Sequence, residues 1–135
     1  QKRMTLEKRA ELLERTAILF DRAPTIDGLR ASLEGNKKLL ELAAICAVQS
    51  KHPKDDCESR TYYSERVEST AKEIHSLNAE FSATMNMVAI YFDPKTRAAV
   101  QQYIKGDPWA ASITERQKLV DAMGSELHWF PKDSK

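Results

Sequence analysis

DDCESRTYYSERVESTAKEIHSLNAEFSATMNMVAIYF, residues 55–92, is the stretch whose reading decides the fold. Within it Tyr63, Val67, Thr70, Ile74, Leu77, Phe81, Thr84, Val88 and Tyr91 step by four and three without a break. That spacing keeps one seam of a helix turned toward a helical partner, and no strand pattern competes with it. Asp55, Asp56 and Glu58 stand at the start, where carboxylates favour the free amides and the positive end of the helix dipole. Asp93-Pro94 ends the run. The expectation is one helix over about 55–92, on the order of 55 Å long at 1.5 Å per residue.

Working outward, Leu6, Ala10, Leu13, Ala17 and Phe20 repeat the four-three spacing, and Leu12 and Leu19 widen the stripe. They predict a helix over 4–22, broken at Ala23-Pro24 because proline disfavours a helical residue before it. A second helix starts near Thr25 or Asp27 and runs to residue 50 on the seam Leu29, Leu33, Asn36, Leu40, Ala43 and Ala47. Gly35-Asn36 inside that seam either ends one helix and starts another or is a weak spot where a partner can come close; one kinked helix is preferred, with Asn36 setting register through a polar contact or pointing to water. The link Lys51-His52-Pro53-Lys54 is short enough to make the second helix and the long one an antiparallel hairpin. Beyond it, Pro94 behind an Asp93 cap opens a helix to residue 105, closed by Gly106. A Ser112/Glu115 capping box opens a last helix through Ile113, Leu119, Val120, Met123 and Leu127 to about residue 129. Pro131 then stops it. The fold class is therefore all-α: an antiparallel bundle of four to five helices on one long central helix, read as a single domain over 1–135.

Bulk properties narrow the function. With 21 basic and 20 acidic side chains the formal net charge is +1, which supplies no broad field for nucleic acid. No apolar run is long enough to span a bilayer. The chain opens on Gln1, which reads as a fragment or mature product of a longer chain. The basic cluster Lys2, Arg3, Lys8 and Arg9 is what the cytoplasmic flank of an upstream membrane tether would carry. Two cysteines point the other way. Cys46, about a turn before the second helix ends, and Cys57, at the start of the long helix, should lie level across the hairpin, within reach of a disulfide. An even pair of this kind suits an extracytoplasmic compartment, periplasmic or secreted, and this reading is preferred to the cytoplasmic face of a membrane. Buried thiols are the alternative.

Catalytic chemistry finds no foothold. The residues three before His52, His75 and His128 are Gln49, Lys72 and Ser125, so the Glu-x-x-His pairs of helical metal sites are missing, and no cofactor is expected. Neither a C-x-x-C redox pair nor a nucleophile elbow or phosphate loop is present, so the chain is read as non-enzymatic. Seven of the ten aromatic residues lie at or after Phe81. Phe81, Met85, Tyr91, Phe92, Tyr103, Trp109, Met123 and Trp129 are the candidate ligand- or partner-binding residues, weighed against a core that joins the last helices to the long one. Lys95 and Arg97 near a helix start are a weak anion signal. The functional expectation is a non-catalytic interaction domain that binds a protein partner or itself as a homodimer. A bundle that senses a small-molecule ligand through an apolar pocket in the Met- and aromatic-rich half is the alternative. An apolar cavity in that half would favour the ligand, and a filled core with an exposed apolar stripe would favour the partner.

Overall fold

The computed structural model describes residues 2–127. They form α1 (Lys2–Asp21), α2 (Ala23–Gln49), α3 (Pro53–Asp56), α4 (Arg60–Tyr91), α5 (Pro94–Lys105), a 3-10 turn (Pro108–Ala110) and α6 (Ile113–Ser125). Among the described residues there is no strand. The architecture is an all-α bundle organised on the long helix α4, as the seam spacing requires.

The chain divides into two compact units, each holding one part of α4. One comprises the residues up to 23 with those from 78 onward; the other is Pro24–Leu77. In the first, α1, the second half of α4, α5 and α6 enclose Phe81, Met85, Val88, Phe92, Val100, Leu119 and Met123, all buried. Rings meet edge to face or tilted: Phe81 lies 4.8 Å from Trp109, 5.8 Å from Phe20 and 6.2 Å from Tyr103. The Trp109 indole N–H donates to the Asn78 side-chain oxygen at 2.6 Å, so the buried ring leaves no unpaired donor.

The second unit is a helical hairpin of α2 and the first half of α4, joined through the single turn α3. Every seam position assigned to α4 is buried or half-buried, from Tyr63 to Tyr91, and so is every seam position of α2. Gly35-Asn36 sits inside one continuous helix. Asn36 serves its own helix, donating to the Ser32 carbonyl at 2.8 Å and to the Ser32 hydroxyl at 3.2 Å.

The second helix starts at Ala23, ahead of Thr25, and two further helix limits and the inward stripe of α1 differ from the sequence reading. The long helix starts at Arg60 rather than 55: Pro53 opens α3, the Asp55 and Asp56 amides donate to the His52 carbonyl, and Cys57 then adopts extended backbone (φ −116°, ψ 146°). On α1 the inward stripe is Leu12, Thr16, Leu19 and Phe20, whereas Ala10 and Ala17 are exposed. Thr16 is admitted because its hydroxyl donates to the Leu12 carbonyl at 2.7 Å. The last helix ends at Ser125 within a tight turn, the Glu126 amide donating to the Met123 carbonyl and the Leu127 amide to that of Gly124. The helix over Pro94–Lys105 and the Ser112/Glu115 capping box stand as read.

Candidate functional site

Of the eight aromatic and methionine candidates, Phe81, Met85, Phe92, Tyr103, Trp109 and Met123 are each 4% exposed or less and belong to the interior of the first unit. Tyr91 is half-buried, and Trp129 lies outside the described residues, as do His128, Phe130 and Pro131. This assembly does the work of a core: it removes apolar area from water and fixes α5, the 3-10 turn and α6 on α4. Burial pushes the Tyr103 phenol above its usual pKa, with the charge of Glu115 adding to the shift and that of Arg116 opposing it.

Beside this core is a polar node built on Arg9, a member of the basic amino-terminal cluster. Arg9 donates through Nε to the Tyr91 carbonyl at 2.6 Å, and its other nitrogens reach Asp93 at 3.4 Å and the Glu126 carboxylate at 3.7 Å. Its guanidinium also stands 5.5 Å from the Phe92 ring centre. Glu126 in turn accepts from the Asp93 amide at 2.8 Å and from the Thr96 hydroxyl. A single planar cation thus ties α1 to the α4–α5 corner and to the end of α6, a task that suits the fixed fork of arginine. Arg97 donates to the Phe92 carbonyl at 3.0 Å, so it also serves that corner.

In the second unit Cys46 and Cys57 form a disulfide with their Cα atoms 5.8 Å apart. Ser50 donates to Asp56 at 2.9 Å beside it, and the Tyr63 hydroxyl donates to the Glu58 carboxylate. That hydrogen bond is the first cause of a raised Tyr63 pKa, with desolvation and the charge of Glu58 adding to it.

The feature of the hairpin with the clearest chemical consequence is the face of α2 turned away from its seam. There Leu42 is 61% and Ile45 51% exposed, while Leu39 at 41% and Val48 at 84% stand on its two opposite flanks, since each step of three turns about 60° round the helix. Gly28, Ala31, Gly35, Lys38 and Gln49 are exposed as well. The positions 28, 31, 35, 38, 42, 45 and 49 advance by three and four, so α2 carries a second seam opposite the first, graded from small residues to large. Single exposed apolar residues need no explanation, whereas these four fall within ten residues of one helix and make the second half of α2 apolar on its solvent side.

A shallow depression on the first unit is lined by Ala17, Phe20, Ile113, Arg116 and Val120 among others. Among the described residues no group of three or more His, Cys, Asp or Glu side chains could hold a metal ion, and no helix is long and apolar enough to cross a membrane. No family model matches the chain, and no curated protein or solved structure matches it either.

Proposed function

We propose that this chain is a non-catalytic helical interaction domain that binds a protein partner or a second copy of itself, and that it works in an oxidising, extracytoplasmic compartment. The observation that carries the reading is the cluster of exposed apolar side chains Leu39, Leu42, Ile45 and Val48 round the second half of α2, set against an aromatic half whose large side chains are interior. Interior rings offer a partner nothing to grip, whereas a helix face that exposes Leu42 and Ile45 can lie in a groove or against another helix. The Cys46–Cys57 disulfide supports the compartment, since such bonds persist where thiols are not kept reduced. A photoreactive residue in place of Ile45, introduced in the producing organism, is expected to give an adduct with a polypeptide. The same residue in place of the exposed Lys72 on α4 serves as the control and should give none. Absence of any polypeptide adduct from position 45 contradicts the reading. For the compartment, alkylation without reductant should leave both cysteines unmodified in material recovered from the cell; two alkylated thiols contradict that half of the proposal.

A small-molecule-sensing bundle draws on one narrower observation, the depression that reaches Phe20, whose ring also touches Phe81 and Tyr103. Amide shifts confined to Ala17, Phe20, Arg116 and Val120 on adding aromatic carboxylates would favour it.

A further inference from the structure

We infer that the depression between α1 and α6 is a binding site for a small organic monocarboxylate with an apolar body the size of a single ring, the carboxylate seated on Arg116 and the body on Phe20. This rests on the small-molecule reading above and names its ligand class; the α2 surface plays no part in it. The walls come from one face of each helix. Ala17 and Phe20 lie one turn apart on α1, and Arg116 and Val120 lie one turn apart on α6, so the two pairs share one depression of about 290 Å³. Ligand pockets commonly hold about 300–1,000 Å³, so this one suits a molecule of one ring rather than a nucleotide. Ile113 stands at the outer rim and stays open to water.

Arg116 gives the site its preference for charge. A guanidinium carries five N–H donors, and the chain supplies one acceptor for them, the Trp109 carbonyl at 3.0 Å from Nη2. Nε is buried with no hydrogen-bond partner, and among the described residues no carboxylate forms an ion pair with the group. Its central carbon stands 5.9 Å from the centre of the Phe20 ring, so cation and apolar wall are neighbours. Arginines drawn this far out of water are ordinarily paired, and an anionic ligand supplies the pair that the chain does not.

A second polar group beside it is in the same condition. The Tyr103 hydroxyl is buried with no hydrogen-bond partner, and its ring lies 5.7 Å from that of Phe20. The charge of Arg116 reaches this phenol, where it opposes the upward push that burial and Glu115 give its pKa. Arginine can only donate and the phenol can donate, so two unsatisfied donors round one ring favour an oxygen acceptor over a cation. Asp21 and Gln117 complete the lining, and the Gln117 amide nitrogen is already held by Asp121 at 2.8 Å. Asp21 limits the ligand to one carboxylate, because a second would face its like charge.

Amide-shift titration of the full oxidised chain with phenylacetate tests this. Shifts at Phe20, Arg116 and Val120 should saturate with a dissociation constant of about a millimolar, as expected of so small a ligand. Phenylacetamide, which keeps the shape and lacks the charge, should bind about tenfold more weakly or worse, and so should phenylmalonate with its second carboxylate. Arg116→Gln should abolish the preference for acid over amide. Ala17→Gln, at an exposed helix position that tolerates the longer side chain, should weaken phenylacetate about tenfold by filling the depression. The acid-against-amide comparison on the unaltered chain and the Ala17 variant decide the matter even where Arg116→Gln loosens the fold. Phenylacetamide bound as tightly as phenylacetate, or an acid preference that survives Arg116→Gln, overturns the carboxylate assignment and leaves the small-molecule reading standing. Undiminished binding to Ala17→Gln puts the ligand elsewhere and overturns the site. If neither phenylacetate nor phenylacetamide gives saturable shifts, the proposal and the small-molecule reading both fail.

Discussion

The two units use the same long helix to different ends. Sixteen of the twenty buried described residues lie in the first unit, and only Ile26, Ala43, Thr70 and Leu77 lie in the second. The first holds α4 with interlocking rings and an arginine node; the second closes a two-helix hairpin whose seam is mostly half-buried, with a disulfide near its turn. A hairpin with so small an interior is the kind of element that needs a staple or a partner, and this one has the first.

The sharpest way to break the contrast is Phe81→Ala. Removing a ring that meets Phe20, Tyr103 and Trp109 should cost about 3–5 kcal/mol in denaturant unfolding. Leu40→Ala in the hairpin seam should cost less than half as much, and equal losses would mean that the two interiors are alike. Cys46→Ser with Cys57→Ser comes next. The closed loop is short, and its loss should cost about 3 kcal/mol if chain entropy dominates. Hydrogen exchange should locate that loss in α2 and the start of α4 while amides around Phe81 and Met123 keep their protection; a uniform loss would show the staple serving the whole chain.

Arg9→Ala should cost about 1–3 kcal/mol, chiefly through the hydrogen bond to the Tyr91 carbonyl, because the ion pairs with Asp93 and Glu126 are partly open to solvent. Arg9→Lys should recover little of it, since lysine cannot reach these acceptors as a fork. Under dilute, monomeric conditions Gly35→Ala should stabilise α2 by about 0.5–1 kcal/mol.

The smallest effect concerns pH. Folded Tyr103 holds its phenolic proton more tightly than the unfolded chain does, so its contribution is intact below the unfolded pKa and is lost as pH rises through the folded one. Tyr103→Phe should be close to neutral at pH 7 and should delay alkaline unfolding; an unchanged alkaline transition would assign that transition to other groups.

Much of this contrast is legible in the sequence, and particular residues show where reading stops. The nine α4 seam positions follow from periodicity alone, as do the Pro94 start and the Ser112 capping box, because each signal is local. The cysteine pair follows from two helix ends and a short link. Arg9 could not be placed, since Asp93 and Glu126 are 84 and 117 residues away and nothing near Arg9 separates a node from a solvated lysine-arginine face. Thr16 was passed over because a hydroxyl that bonds its own helix looks polar in a pattern and behaves as core. Leu39, Leu42, Ile45 and Val48 are hidden differently: one apolar seam on α2 explains the helix, and the apolar residues left outside it stand out only once burial shows which ones the seam has used.

The most direct measurement of the central claim is covalent carbene footprinting of the chain in its producing organism, compared with the purified chain at high dilution. The account expects Leu42 and Ile45 to be labelled when dilute and protected in the native setting, while Ile113, 82% exposed on α6, labels equally in both. Equal labelling of Leu42 and Ile45 in the two settings would contradict it.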